Sequence, residues 1–402
     1  MRKIAAHYVL PVSRPPVRNG ILTLGDDGEV LNLSAPYGEL QESEGVEFYS
    51  GALAPGFVNA HCHLELSHLR GVAPQRTGLA GFISCVAAHR DAFPGEQALR
   101  AASLADAQLH AGGTVAVGDV SNRGLTFEVK AHSPVFYHTF IERLGLRRED
   151  IEHGVRSALL LAEEAAKLGL SASLTPHAPY STLPEMYAAL AAQSGSWSVH
   201  NQESREENLL FEEGRGALRD LLTAIGLTPA PPTGKSSIYH TLQHAAGVQR
   251  LLLVHNTFTS PDDYDAAAAC CKNISWVLCP SSNLYIEHAL PPLQMLRAKG
   301  ASIALGTDSL ASNASLNLLD ELKLLAERFP DIPLSETLRW ATLGGAAALG
   351  LERTLGSLDK GKRPGVVLLS NLDLDKLKLT PETKSRLLTK KNAYICRGKE
   401  AI

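Results

Sequence analysis

The sequence predicts an α/β protein: a distorted (β/α)8, TIM-like barrel with a small β-sandwich domain formed by both chain ends. Three observations carry this expectation: eight short apolar runs, stretches of helical period between them, and a turn-rich character shared by the two ends. Residues 1–54 read as short strands with Gly-Asp and Gly-Glu turns, as in LTLGDDGEVLNLS, and make the first part of the small domain. The barrel then spans 55–355, with strands expected at Gly56–Ala60, Thr114–Gly118, Pro134–Phe140, Ser171–Pro176, Trp197–His200, Leu251–His255, Ser275–Pro280 and Ser302–Asp308. The helical pattern predicts helices at Glu96–Ala111, Glu149–Leu168, Leu183–Ala192, Ser260–Ala269, Leu316–Phe329 and Ser335–Leu349. Residues 356–402, beginning GSLDKGKRPGVVLLSNLD, resume the turn-rich character and complete the small domain. An insertion from Ser204 to Ser236 follows the fifth run and is a candidate lid above the barrel mouth, the alternative being a surface excursion. Its Gly234-Lys235-Ser236 is not a phosphate loop, because Pro229 stands where that motif requires glycine.

Composition excludes several classes. Of 402 residues 45% are hydrophobic and 20% charged, which suits a globular chain with a large core and not a disordered, collagen-like or coiled-coil one. The 38 basic and 42 acidic side chains leave a formal charge of −4 without a Lys/Arg run, so a nucleic acid polymer is not an expected partner. No segment supplies the ~18 uninterrupted apolar residues of a membrane span, and the N-terminus reaches Ser-Arg-Pro-Pro before it builds a signal-peptide core. A membrane is likewise not an expected partner. Six cysteines, Cys62, Cys85, Cys270, Cys271, Cys279 and Cys396, form no C-x-x-C pair, which predicts a reducing cytoplasm rather than a disulfide framework. A homodimer is expected only because two-fold assemblies are the commonest.

The chemistry concentrates at the ends of the runs. In PGFVNAHCHLELSHLRG, His61 and His63 lie two apart, so strand alternation puts both imidazoles on one face and Cys62 on the other. His200 ends the fifth run, His255 the sixth, and Asp308 the eighth, in Leu305-Gly306-Thr307-Asp308-Ser309. In a (β/α)8 barrel all five groups meet at the catalytic, C-terminal mouth. Neutral imidazoles and a carboxylate there make a site for one divalent metal ion. Zinc is the default occupant, and Fe2+ or Mn2+ can use the same donors.

These segments, with TPHAPYS, SVHNQE, LLVHN, CPSSN and ALGTDSLASN, resemble the amidohydrolase superfamily over essentially the whole chain. The resemblance is to its mononuclear deaminase and chlorohydrolase branch, which includes cytosine deaminase-like and S-adenosylhomocysteine deaminase-like enzymes. It implies that His61, His63, His200 and Asp308 are metal ligands and that Asp308 also takes the water's proton. It further implies that His255 stands beside the reacting water, that Glu203 is the acid–base group, and that His177 contacts substrate. Binuclear relatives place a bridging lysine at the fourth strand, but no lysine lies between Leu170 and Leu183, so the resemblance implies a single ion. The segment around Glu65 is similar to that of aminodeoxyfutalosine deaminases, which makes Glu65 a second expected substrate contact. Asp119, Asn122, Glu142 and Arg143 are further candidates to line the pocket. Ser281, Ser282, Asn283, Ser309, Ser312 and Asn313 are candidates to support it. The expected function is therefore metal-dependent hydrolysis of a non-peptide C–N bond in a small molecule, with deamination of an adenine-type nucleoside or related heterocycle leading. A chlorohydrolase or cyclic-amide hydrolase on the same scaffold is the alternative; a metal-free interaction protein is the alternative from another class.

Overall fold

The computed structural model describes residues 1–35, 44–193, 195–229 and 231–389. Cys396 and the end of the expected C-terminal segment lie outside the described residues. The chain begins with β1 (Arg2–Val9), β2 (Val17–Arg18), β3 (Ile21–Leu24), β4 (Val30–Ser34) and β5 (Val46–Pro55). It continues with β6 (Phe57–Cys62), β7 (Thr114–Ser121), β8 (Phe136–Arg143), β9 (Ser171–Pro176), β10 (Ser196–Asn201), β11 (Arg250–His255), β12 (Ile274–Leu278) and β13 (Ile303–Leu305). Near the C-terminus follow β14 (Val366–Ser370) and β15 (Lys384–Leu387).

The two chain ends share one sheet. Its order is β15-β14-β5-β1-β3-β4 with β2 beside β1, and β5 pairs parallel to β1 and antiparallel to β14. Gly56 joins this sheet to β6, where a Cβ would stand 2.4 Å from a Val115 methyl and 2.6 Å from the Pro364 carbonyl, so no larger residue fits the junction.

Each of the eight expected runs is a strand, and they form two four-stranded parallel sheets in chain order, β6-β7-β8-β9 and β10-β11-β12-β13. Hydrogen bonds tie both seams between the sheets. At one, Thr175 Oγ1 donates to the Ser198 carbonyl at 2.8 Å and accepts from the Ser198 N–H at 2.9 Å. At the other, the N–H groups of Thr307 and Asp308 donate to the His61 carbonyl at 3.0 and 3.1 Å, and Asn59 Nδ2 donates to Thr307 Oγ1 at 2.7 Å. Alternation sorts the apolar side chains to two faces: Leu252 and Val254 pack with Ala60, Val120, Phe140 and Val277, whereas Leu251 and Leu253 pack against the helices.

The helices follow the sequence pattern with shifts of a few residues at their ends. Pro261–Cys270 starts in a capping box between Ser260 and Asp263, where the first free N–H groups find acceptors. The helix expected at Ser335–Leu349 runs Leu334–Arg339, then a wide π turn at Trp340–Gly344, then Gly345–Ala348. There the backbone sits so near β13 and β6 that a Cβ on Gly344 or Gly345 would meet the Ile303 or Val58 carbonyl at 2.2 or 2.3 Å. A helix at Gly78–His89 was not among the expected elements, although LAGFISCVAA carries an apolar stripe. The insertion after β10 folds as helices Arg205–Glu213 and Ala217–Ala224. Leu210, Phe211, Leu218 and Leu222 from these helices pack with Leu79, Phe82 and Ile83 of the unexpected one.

Candidate metal centre

Four strand ends bring five donors together at the mouth. His61 lies on β6 and His63 just beyond it, His200 on β10, His255 at the end of β11, and Asp308 in the turn after β13. His63 Nε2 is 3.1 Å from His61 Nε2 and 3.2 Å from His200 Nε2, and Asp308 Oδ1 is 3.5 Å from His63 Nε2 and 3.8 Å from His61 Nε2. His61, His200, His255 and Asp308 also offer one atom each within 4.8 Å of one another. His63 is absent from that foursome yet makes the shorter contacts, so all five belong to one cluster. Cys62 turns away into apolar packing with Leu64, Ala102 and Leu109, as alternation requires.

The tautomers suit a cation. His200 Nδ1 lies 3.1 Å from the His177 carbonyl, which can only accept, so the proton is on Nδ1 and the Nε2 lone pair faces the cluster. Asn283 Nδ2 donates to Thr257 Oγ1 at 2.7 Å, which leaves its Oδ1, 2.9 Å from His255 Nδ1, as the acceptor for that ring. His255 Nε2 is thereby a lone-pair atom, buried and without a hydrogen-bond partner among the described residues. Burial, helped by neighbouring rings, holds His61 well below its ordinary pKa and lowers His200 too, so neither ring is charged at neutral pH. Burial alone would raise the Asp308 carboxyl. The His63 and His255 rings, with hydroxyls of Ser282 at 2.6 Å and Ser312 at 2.5 Å, outweigh it and keep Asp308 below its ordinary value. Convergent lone pairs beside an ionised carboxylate are a donor set for a divalent ion.

Glu203 has the opposite environment. It follows β10 in a turn where Gln202 holds φ 45°, and its Oε2 lies 3.7 Å from His255 Nε2. Burial, reinforced by the Asp308 and Glu207 charges, pushes its carboxyl well above the usual range, which favours the neutral acid. The buried Glu207 carboxylate accepts the N–H groups of Gln202 and Glu203, each at 3.1 Å, and so fixes the turn. Sequence reasoning missed Glu207. Its signal was the Ser204-x-x-Glu207 pattern of a helix start, and Ser204 Oγ does accept the Glu207 N–H at 3.2 Å. Asn59, two residues before His61 on the same strand, and Glu321, which receives Ser281 N–H at 2.9 Å and Asn313 Nδ2 at 2.8 Å, were missed as well.

The donors open into a cavity of about 200 Å³. Leu79, Phe82, Ile83 and Val86 of the helix Gly78–His89 form one wall, and Asn122 and Glu142 stand in another. None of the described residues of the insertion lines it; that segment packs behind the wall helix. His177 does line the cavity, its Nδ1 2.5 Å from Ser181 Oγ, and burial brings its pKa to about 3. Glu65, the other expected substrate contact, is not among the residues lining this cavity. It lines a neighbouring cavity, and its oxygens take the N–H groups of Asn122 at 3.1 Å and Arg123 at 3.3 Å and lie 3.4 Å from Arg90 Nη2. Asp119 is likewise absent from that lining; it is ion-paired with buried Lys130 and accepts the Leu64 N–H at 2.7 Å.

Parallel α/β sheets whose strand ends gather imidazoles and a carboxylate around a cavity define a metal-dependent hydrolase. The chain belongs to the amidohydrolase family, whose sequence profile matches residues 52–393. It is 24% identical over 381 residues to a 5-methylthioadenosine/S-adenosylhomocysteine deaminase of Moorella thermoacetica, a match covering 90% of this chain and 83% of that one. The crystal structure of Helicobacter pylori aminofutalosine deaminase in complex with methylthio-coformycin superposes with a TM-score of 0.80 at 22% identity, over 98% of this chain and 100% of that one. An adenosine deaminase from Xanthomonas campestris with bound zinc gives 0.73 at 21% identity, over 98% and 94%. These two likenesses establish the shared fold.

Proposed function

We propose that this protein is a zinc-dependent deaminase that hydrolyses the exocyclic C–N bond of an adenine-type nucleoside and releases ammonia. The observation that carries the reading is the placement of two carboxyl groups on one donor cluster, Asp308 Oδ1 3.5 Å from His63 Nε2 and Glu203 Oε2 3.7 Å from His255 Nε2, in surroundings that favour the ionised form of the first and the neutral form of the second. The names of the similar deaminases support the substrate class. His61, His63, His200 and Asp308 are the proposed ligands of one ion. When bound, a divalent ion there acidifies water and so supplies a nucleophile at neutral pH.

The chain's own groups then have separate tasks. Glu203 donates its proton to the ring nitrogen beside the amine, which makes the adjacent carbon electrophilic. His255 Nε2, with its lone pair inward, accepts a hydrogen bond from the attacking water and aligns it. Asp308 receives the water's proton. As the new C–O bond forms and the C–N bond breaks, Asp308 passes the water's proton to the amine, which leaves as ammonia; the ring nitrogen keeps the proton from Glu203, and the proton of the new hydroxyl returns to Glu203 as the carbonyl forms. His177 contacts the substrate, whereas Glu65 serves by bracing the loop after β7.

The same reading joins the two parallel sheets into one distorted (β/α)8 barrel over 55–355, with 1–54 and 356–402 forming a small β-sandwich domain. It places the enzyme in the reducing cytoplasm, where the free thiols of Cys62, Cys85, Cys270, Cys271 and Cys279 persist, and gives it small molecules as partners and a homodimer as its assembly. The test is ammonia release by the zinc-loaded protein from 6-aminodeoxyfutalosine, adenosine and S-adenosylhomocysteine, with cytosine and guanine beside them. Release from an adenine nucleoside is expected. Stoichiometric zinc with no ammonia from any of them refutes it in favour of another hydrolysis on this scaffold.

A further inference from the structure

Glu142 closes β8 with a carboxylate that the proposed chemistry does not use. It is 2% exposed and lines the cavity. Its Oε2 accepts from Asn122 Nδ2 at 2.9 Å, but its Oε1 is buried with no hydrogen-bond partner among the described residues. Nearby donors are committed elsewhere. His200 Nδ1, 3.6 Å from Oε1, already faces the His177 carbonyl at 3.1 Å. The Arg143 guanidinium turns to the carbonyls of Gly154, Asn122 and Glu142 at 3.1, 3.1 and 2.7 Å. A buried carboxylate oxygen left without a donor is costly, and a binding site is where a protein keeps one. Arg90, Asn122 and Glu142 all line the cavity, with Arg90 Nη2 3.4 Å from Asn122 Oδ1, so a polar row runs along one wall and ends on that open oxygen.

We propose that Glu142 Oε1 receives a sugar hydroxyl of the substrate and so makes Glu142 a specificity-determining residue. The inference rests on the nucleoside reading above. Its chemistry is narrow: the adenine ring edge presents acceptor nitrogens, and its one donor group is the amine, which belongs at the metal cluster beside Glu203. The donors left to meet a carboxylate are the hydroxyls of the sugar. Glu65 is not a rival acceptor in this cavity, since it faces the neighbouring one.

The experiment compares kcat/KM of the zinc-loaded protein for adenosine and its 2′-, 3′- and 5′-deoxy analogues, in the wild type and in Glu142→Gln, with zinc content and thermal melting measured on both. A glutamine that keeps its carbonyl on Asn122 places an NH2 where Oε1 stood. Expected is a wild-type preference for adenosine over one deoxy analogue of about 10- to 100-fold, abolished in the variant because adenosine falls while that analogue does not. Calorimetric binding of inosine and the matching deoxyinosine reads the same contact without turnover. An unchanged preference in a folded, zinc-loaded variant overturns the proposal. An equal loss on all substrates with loss of zinc also overturns it, and assigns Glu142 to orienting His200. Failure of the underlying reading looks different: no ammonia from any nucleoside and no inosine binding by the wild type.

Discussion

Gln202, His255, Asn256 and Asp308 hold φ values of 45°, 75°, 57° and 57°, a left-handed region that costs a non-glycine residue about 1–3 kcal/mol. All four sit at the mouth, and local side-chain bonds hold them there: Asn256 Nδ2 donates to the Leu253 carbonyl at 2.7 Å, and Gln202 Nε2 to Asp263 Oδ2 at 2.9 Å. The strain aims His255 and Asp308 at the cluster and swings Glu203 out of the line of β10 into the cavity. Glu203→Gln is expected to lower kcat by about 10²- to 10⁴-fold while zinc content stays at the wild-type level, because the side chain lies outside the proposed ligand set. Steady-state rates with metal analysis check this, and normal turnover would remove Glu203 from the acid–base role. The donor residues were legible because strand-end histidines and aspartate carry their chemistry in their identity. Which oxygen of which glutamate stays free was not legible, because it depends on partners brought in from other segments of the chain, Asn122 for both Glu142 and Glu65.

Between residue and molecule, buried carboxylates clamp one element to the next. Glu321 spans the turns after β12 and β13, and burial lifts its pKa to about 7 against the hydrogen bonds from Ser281 and Asn313. An acid raised on folding binds its proton more tightly in the native state than in the unfolded one, where it titrates near 4.5. Its contribution to stability is therefore greatest below about pH 4.5 and falls as pH rises to about 7, by an amount on the order of 3 kcal/mol. Glu321→Gln is expected to flatten the fall in urea midpoint between pH 5 and pH 8; parallel curves for variant and wild type would show that the group does not titrate there. The helices that such clamps connect were largely visible as periodic stretches with polar ends. The cavity wall at Gly78–His89 was not singled out, because its apolar residues find their partners in segments far along the chain, among them Tyr180, Ile286 and the insertion's Leu210 and Leu218.

Across the whole molecule, the cluster takes donors from both parallel sheets, His61 and His63 from the β6 sheet and His200 with Asp308 from the β10 sheet. An ion bound there cross-links the two halves at the mouth. Chelator-treated protein should therefore melt at a lower temperature. Free zinc at a thousandfold excess over its Kd should restore about 4 kcal/mol, and scanning calorimetry against free zinc reads the shift. A melting temperature indifferent to zinc would count against the cluster as a binding site. The sequence by itself determined the eight strands, the return of the C-terminal segment to the N-terminal sheet, and the donor types at the strand ends. Each of these is a local pattern of period, turn chemistry and residue identity. The tertiary structure alone decided the tautomers of His200 and His255, the hydrogen-bond partners of Glu65, the wall helix, and the open oxygen of Glu142. These follow from distances between segments that meet only in the folded chain, and no local pattern encodes such distances.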